Sequence, residues 1–472
     1  MSTFEPSSYQ RAVFENVESG KGHLVVVARA GSGKTTTIVE ALKRVPAGAS
    51  TLFVAFNAKI AEELKKRAPW SAEVSTLHSF GFAALRRAMG NVRLDKNRVA
   101  DLIRDRVQDA ADRKTMVRAV GLAKGALAST KQEIERAIAT ADLDVSAALA
   151  PRLADGVRWC MDIAIEEPDV IDYDDMIWLP LALDIKVRQF DRVFVDEVQD
   201  LNPAQIELAL RACKPDGRIC AVGDDRQAIY GFRGADSRAV GNIIGRLDAA
   251  TLPLSVCYRC ARSIVEVAQE VVPSIEAAPT AAEGTVRDAT VGEMVKEARG
   301  GDFILSRTNA PLVALFFRLI AAEKPAKIAG RDVGAKLTER IQRARATTVV
   351  QLLAKTAKWL DGERTKLARL DPPGDPSMVE DIAECISVVS DGATTVAEVE
   401  QRLATMFSDD LADDQIVVLS STHRAKGLER ERAFVLVETY RKRPGLAEDN
   451  LWYVAVTRAK EELVMVHGKV RE

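Results

Sequence analysis

"ARAGSGKTT", residues 28–36, decides how the rest of the chain is read. The apolar run "HLVVVARA" leads into it and "TTTIVEALKRV" leads out, which gives the order strand, glycine-rich loop, helix. Such a loop grips phosphate because successive backbone N–H groups converge on the anion and the following helix adds the positive end of its dipole. The pattern G-x-x-x-x-G-K-[ST] is met at Gly33, Lys34 and Thr35, but Ala28 replaces its first glycine. Ala28 stands at the strand end, where a methyl group is tolerated if φ stays negative. Gly31 and Gly33 remain, Lys34 can reach the outer phosphates, and the Thr35 hydroxyl can reach Mg²⁺. A glycine-rich turn that binds nothing is the weaker reading.

A second acidic site strengthens the first. "RVFVDE" ends an apolar strand with Asp196 and Glu197. One carboxylate can hold Mg²⁺ while its neighbour orients or deprotonates an attacking water, so the pair points to hydrolysis with water as acceptor. Alone, Asp-Glu at a strand end says little; after a phosphate loop it says much.

Working outward, 472 residues exceed one ordinary core, and about 150 residues per domain suggests about three domains. Strand-length apolar runs recur at "TLFVAFN", "DRVFVDE" and "GRICAVGD", as in a buried parallel sheet. A second series follows at "GDFILSRTN", "DQIVVLSST", "RAFVLVET" and "ELVMVHG", which predicts a second α/β lobe. Between roughly 86 and 185, and again between 336 and 411, the strand signal gives way to Ala, Arg, Glu, Asp and Leu at helical spacing, so each lobe carries a mainly helical insertion. The mixed charges of "KNRVADLIRDRVQDAADRKTMVRAV" suit a solvated helix face. "DPPGDPS", residues 371–377, reads as a loop, because its prolines deny amide donors.

Net charge of −2 excludes the bulk basic footprint of many nucleic-acid proteins, so any polyanion must be held in a local groove. Six unpaired-looking cysteines and no basic-then-apolar leader suggest a reducing, cytoplasmic setting. No apolar run is long enough to span a bilayer, so no membrane partner is expected. Arg259 in "CYRC" and Arg458 in "AVTRAK" are candidates to place positive charge on a transferring phosphoryl group, although a surface ion pair is the commoner use of either.

The ordered series "ARAGSGKTT", "FVAFNAKIAEEL", "STLHSFG", "VDEVQDLNPAQ", "GDDRQAIYGFRGA", "LSVCYRC", "STHRAKGLE" and "LWYVAVTRAKEEL" resembles the motifs of UvrD/Rep-like superfamily 1A DNA helicases over nearly the whole chain. The resemblance implies two RecA-like parallel-sheet lobes, the first from 1–85 and 186–250 with the insertion 86–185, the second from 251–335 and 412–472 with the short insertion 336–411. It implies ATP and Mg²⁺ held by Ala30, Gly31, Ser32, Gly33, Lys34, Thr35 and Thr36, with Asp196 as metal anchor and Glu197 as catalytic base. Gln227 would sense the γ-phosphate, Arg259 and Arg458 would contact it, Tyr258 would stack on adenine, Gln10 would read the adenine edge, and Glu429 would hold the ribose. Single-stranded DNA would meet Phe56, Tyr230 and Phe232 by stacking, which tolerates any sequence, and Asn57, Thr76, His78, Arg233 and His423 through phosphate or sugar.

The activity implied is ATP-driven movement along single-stranded DNA or DNA with single-stranded tails, 3′ to 5′, with duplex unwinding. The alternative is a nucleotide-gated single-stranded-DNA-binding or scaffold protein. A loading or accessory protein is left open as a partner, because the second insertion is short for the family. Other departures are Arg29 where glycine is usual, Thr36 where arginine is usual, Arg430 where an aromatic is usual, and no Leu-Asn before Gln10. "CYRC" also raises zinc at Cys257 and Cys260, a weak reading without a second Cys or His pair.

Overall fold

The computed structural model describes residues 5–139, 143, 145–146, 148–229, 239–368, 376–406, 414–440 and 446–470. The loop expected at 371–377 falls mostly outside them. The chain forms two compact units, 1–255 and 256–472.

In the first unit the strands are β1 (Leu24–Ala28), β2 (Thr51–Ala55), β3 (Ala72–Thr76), β4 (Arg93–Leu94), β5 (Val170–Ile171), β6 (Phe190–Val195), β7 (Cys213–Gly223) and β8 (Ala250–Leu254). Six make a parallel sheet in the order β3-β2-β6-β7-β1-β8. The continuous apolar runs follow from burial on both faces. Leu24, Val26, Phe53, Phe194 and Val222 enter one core, while Val25, Leu52, Val54, Val193 and Ala221 enter the other. Each Val, Leu or Phe side chain so removed from water contributes about 1.5–3 kcal/mol. A polar residue at Val26, which is fully buried, would break the first of these cores.

The register brings the strand ends level. Val27 stands opposite Gly223, Val195 opposite Ala221, Val54 opposite Val195, and Ala55 opposite Thr76. The loops leaving β3, β2, β6, β7 and β1 therefore share one carboxyl-terminal edge, where parallel α/β sheets place their ligands.

The first helical insertion has a core of its own, with Val99, Met116, Val120, Val157, Met161 and Leu179 among its members. A two-residue parallel ladder joins β4 to β5 across it. The helix Asp175–Ala182 is its joint to the sheet: Trp178 and Leu179 face the insertion's core, Ile177 and Leu181 the sheet's. Lys124 is fully buried there and lies 2.8 Å from Asp172 Oδ2 and 2.7 Å from Asp175 Oδ1.

The second unit contains β9 (Val256–Cys257), β10 (Glu276–Ala277), β11 (Thr285–Thr290), β12 (Phe303–Ser306), β13 (Ala326–Ile328), β14 (Val417–Ser421), β15 (Arg430–Leu436) and β16 (Ala459–His467). Its parallel sheet runs β11-β16-β15-β12-β14-β13. The helices Arg331–Ala344, Val349–Ala368, Ser377–Ser390 and Val396–Met406 form its insertion. Unlike the first, this insertion shares a core with the sheet: Leu352, Ile386, Val399 and Leu403 belong to one cluster with Ile304, Leu419, Phe434 and Val464. Among the described residues no helix is long and apolar enough to cross a membrane.

Candidate active site

The phosphate-loop candidate closes as the sequence requires. Gly31 and Gly33 take φ of 66° and 74°, in the left-handed region that favours glycine. Gly33 precedes the helix Lys34–Leu42 without a side-chain cap, so the amide donors of the first turn stay available for an anion. A Cβ on Gly33 would meet nothing closer than Gln10 Nε2 at 3.7 Å, so strain rather than crowding keeps that position glycine. Ala28 is not among the non-glycine residues with positive φ, so a methyl group is tolerated at the missing glycine. Among the described residues the buried Ser32 hydroxyl has no hydrogen-bond partner.

Lys34 Nζ lies 2.9 Å from the Glu197 carboxylate. Burial works against the ammonium charge, but Glu197, Asp224 and Asp196 outweigh it and raise its pKa. Burial, with Glu197 beside it, raises the Asp196 carboxyl well above the usual carboxylate range, Lys34 acting against the shift. Glu197 holds φ 49°, a left-handed backbone that a non-glycine residue adopts only under restraint. The restraint is visible: the Gln199 amide donates to Glu197 Oε2, and the Glu197 amide donates to Asp196 Oδ1 at 2.9 Å.

Gln199 also reaches the loop after β7, its Oε1 accepting the Asp224 amide at 3.0 Å. Asp224 Oδ2 in turn accepts from Gln227 Nε2 at 2.6 Å. Gly223 is needed for this approach, since a Cβ there would lie 2.5 Å from Gln199 Oε1. Arg29 closes the circuit from the phosphate loop, with Nη1 3.1 Å from Asp224 Oδ1 and 2.6 Å from Asp225 Oδ1. Burial pushes the Asp224 carboxyl up while Lys34 and Arg29 oppose it. Among these six charged side chains, two cations face four carboxylates, a balance that suits a divalent cation arriving with a nucleotide. With the orphaned Ser32 hydroxyl and the uncapped helix, the residues suit ATP and Mg²⁺.

Neither Gln199 nor Asp224 was singled out from the sequence, and Arg29 stood only as a departure. Their signal was present in "VDEVQD" and "GDDRQ", where an added arginine upstream calls for an acidic partner. Gln10 has structural work as well. It completes a capping box with Ser7 and donates to Thr37 Oγ1 at 2.9 Å, and "S-S-Y-Q" is the sequence mark of that box. Thr35 is partly exposed at the helix start, and Thr36 accepts from Arg67 at 3.5 Å.

The nucleic-acid candidates of this unit leave the same sheet edge, on the far side of β6 from the phosphate loop. Phe56 follows β2 and is 41% exposed, available for stacking. Asn57 and Thr76 cap their helices, accepting from the amides of Ile60 and Ser79, so each has a structural reason for its type. His78 is half-buried, and burial lowers its pKa. Tyr230, Phe232 and Arg233 lie outside the described residues.

The second unit gathers Tyr258, Arg259, Glu429 and Arg458 at the amino-terminal ends of β15 and β16. Arg259 pairs with Glu429, which also lies 3.5 Å from Lys460. Arg458 is fully buried, yet it makes no ion pair among the described residues. Its guanidinium donates to the carbonyls of Val454 (2.8 Å) and Leu428 (3.0 Å) and to Thr457 Oγ1 (3.0 Å). Burial, then the nearby Arg259, pushes its pKa down to about 10. A buried cation held by neutral oxygens beside a second cation is costly unless an anion joins them. Tyr258 is half exposed. His423 stands apart from this group, on the short helix Thr422–Ala425 after β14.

Residues 9–244 match the family model of the UvrD/REP helicase N-terminal domain, and residues 417–466 that of the UvrD-like helicase C-terminal domain. Among curated relatives, the ATP-dependent DNA helicase PcrA of Staphylococcus aureus (strain Mu50) is 24% identical, covering 97% of this chain and 83% of the relative. PcrA of Staphylococcus epidermidis is 25% identical with the same coverage. The first alignment runs over 616 positions, more than this chain contains, so the relative carries segments that this chain lacks. Among solved structures, an Arterivirus nonstructural protein 10 (helicase) is matched over 97% of this chain and 62% of that one, at TM-score 0.36 and 14% identity, too distant to define fold or function.

Proposed function

The chain belongs to the UvrD/REP helicase family, and from that premise we propose that this DNA helicase is a motor that hydrolyses ATP to move 3′ to 5′ along single-stranded DNA and to open tailed duplex. One observation carries the coupling: a hydrogen-bonded path from Glu197 through Gln199 and Asp224 to Gln227. It joins the residue proposed to act on water to the head of "AIYGFRG", the segment expected to stack on bases. In this reading a change at the γ-phosphate passes to the strand through the segment that follows Gln227.

In this reading the amides from Ala30 to Thr36 cradle the phosphates and Lys34 turns from Glu197 to the β and γ oxygens. Thr35 and Asp196 would hold Mg²⁺, which when bound neutralises charge on those oxygens. Glu197 takes the proton of the attacking water, and Gln227 senses the γ-phosphate. Arg259 and Arg458 supply positive charge to the transferred group. Tyr258 stacks on adenine, Glu429 holds the ribose, and Gln10 reads the adenine edge. Phe56, Tyr230 and Phe232 stack on bases, while Asn57, Thr76, His78, Arg233 and His423 hold the strand's backbone.

The test is ATP turnover with and without single-stranded DNA, run beside strand displacement on duplexes with 3′ or 5′ tails. Stimulated turnover with displacement of the 3′-tailed duplex supports the motor. Equal turnover with and without DNA returns the reading to a nucleotide-gated binding or scaffold protein. The short second insertion favours a translocase that opens duplex poorly alone, so an accessory protein would raise displacement more than turnover.

A further inference from the structure

The family reading absorbs Tyr258 and Arg259 of "CYRC" but leaves the cysteines that bracket them. Cys257 ends β9 and Cys260 follows three residues later. The Cys260 amide donates to Cys257 Sγ at 3.4 Å, while the Cys260 thiol donates to Thr457 O at 3.8 Å. That amide contact folds the two cysteines toward one another across the turn that carries Arg259. Among the described residues no third ligand joins them in a metal-binding cluster. Both thiols are buried, while Tyr258 is half exposed and the Arg259 side chain 23% exposed, so the turn that holds the pair lies at the surface.

The surroundings divide the pair chemically. The Cys260 thiol, the backbone amides of Cys260 and Arg259, and the Arg259 charge all favour a thiolate at Cys257, and they outweigh burial. Cys160, Cys213, Cys220 and Cys385 are pushed the other way by burial. A thiolate beside a resolving thiol is the arrangement that peroxide oxidises selectively.

We propose that Cys257 and Cys260 are a peroxide-sensitive dithiol whose disulfide reversibly switches off ATP turnover by displacing Arg259. Cys257 sulfur attacks hydrogen peroxide, breaking the O–O bond to give the sulfenic acid and one water. Cys260 sulfur then displaces the hydroxyl as a second water, so two thiols and one peroxide become one disulfide and two waters. Three anchors define what the new bond must disturb. Cys257 O accepts the Ala278 amide at 3.1 Å, the Ala261 amide donates to Lys460 O at 2.7 Å, and Cys260 Sγ lies 3.8 Å from Thr457 O, next to Arg458. Cys260 sulfur leaves Thr457 as it swings to Cys257, and Arg259 moves with the turn. A displacement of about 1 Å at such a group is worth on the order of 100-fold in rate.

The inference rests on Arg259 acting in ATP turnover, and the experiment separates the two ideas. The full-length protein is treated with hydrogen peroxide, then assayed for DNA-stimulated turnover and, by peptide mass, for loss of two hydrogens in the fragment holding both cysteines. The expected result is an intramolecular disulfide, turnover reduced on the order of 100-fold, and recovery with dithiothreitol, while Cys260→Ser keeps its untreated turnover and forms no such disulfide. No disulfide in this fragment overturns the switch and leaves the role of Arg259 standing. A disulfide with unchanged turnover, in a protein that Arg259→Ala inactivates, also overturns it. Full turnover in Arg259→Ala removes both.

Discussion

Lys34 Nζ stands 2.9 Å from each carboxylate oxygen of Glu197, so the proposed phosphate grip and the proposed base neutralise one another before nucleotide arrives. Incoming phosphates must compete with a carboxylate for that ammonium. Glu197→Gln removes the competitor and the base together. Turnover should fall by about 10²–10⁴, while ATP binds about two- to fivefold tighter, the worth of a partly exposed ion pair. Single-turnover hydrolysis and equilibrium titration with a fluorescent ATP analogue measure the two effects separately.

Gly223 makes room for Gln199. A Cβ at that position would crowd Gln199 Oε1 and sit 2.8 Å from Val198 Cγ1. Gly223→Ala should cost about 1–3 kcal/mol of stability through overpacking and should uncouple turnover from DNA, leaving the basal rate better preserved than the stimulated one. Titrating single-stranded DNA against steady-state turnover checks this.

The carbonyl cage of Arg458 gives it no carboxylate to lose. Arg458→Lys strands no opposite charge, so it should cost only about 1–3 kcal/mol of stability for the carbonyl contacts it loses yet lower turnover by about 10³-fold, since a single ammonium cannot reproduce a planar guanidinium at a phosphoryl group. A large fall in the unfolding midpoint would instead mark the residue as structural.

Lys124 is the reverse case. Its two aspartates are buried with it, and Arg98 Nη1 lies 3.4 Å from Asp175 Oδ2. Lys124→Met strands those carboxylates and should cost about 3–5 kcal/mol, measured by urea unfolding, while nucleotide affinity stays unchanged.

His23 sets a dependence on pH. Its Nδ1 accepts the Ile219 amide at 3.0 Å, which fixes the proton on Nε2, and burial followed by Arg218 lowers its pKa below the ordinary 6.5. Above 6.5 folded and unfolded chains are both neutral at this ring. As pH falls through that value only the unfolded chain takes up the proton, so stability is lost on the acid side. The melting temperature should drop from about pH 7.5 to about pH 5.5, and His23→Asn, which keeps an acceptor but gains no proton, should shrink the drop.

Both sheets were legible in the sequence because strands buried on two faces carry unbroken apolar runs, and "HLVVVARA" and "RAFVLVET" are such runs. The bend of the loop proposed to hold phosphate was legible because its glycines answer to backbone geometry alone. The Gln199 bridge and the Arg29 contacts were not, since they depend on which strands lie side by side, and β6, β7 and β1 are neighbours only in the folded sheet. Capping accounts for another gap: Gln10, Asn57 and Thr76 hold helix starts while also matching motif positions, and a motif match alone does not separate those duties.

The unequal seating of the two helical insertions decides which could be exchanged. The segment after β3 keeps an interior of its own and meets the rest of the unit mainly through the helix Asp175–Ala182, with a smaller seam from Ala110–Gly125 to Pro203–Arg211, so it could be swapped like a cassette between relatives that keep those seams. Excising the segment after β13 would bare the face of the helix Ala310–Ala321 that packs against Ser377–Ser390, in the same core as Ile304, Leu419 and Phe434. That deletion would yield insoluble protein rather than a smaller working enzyme.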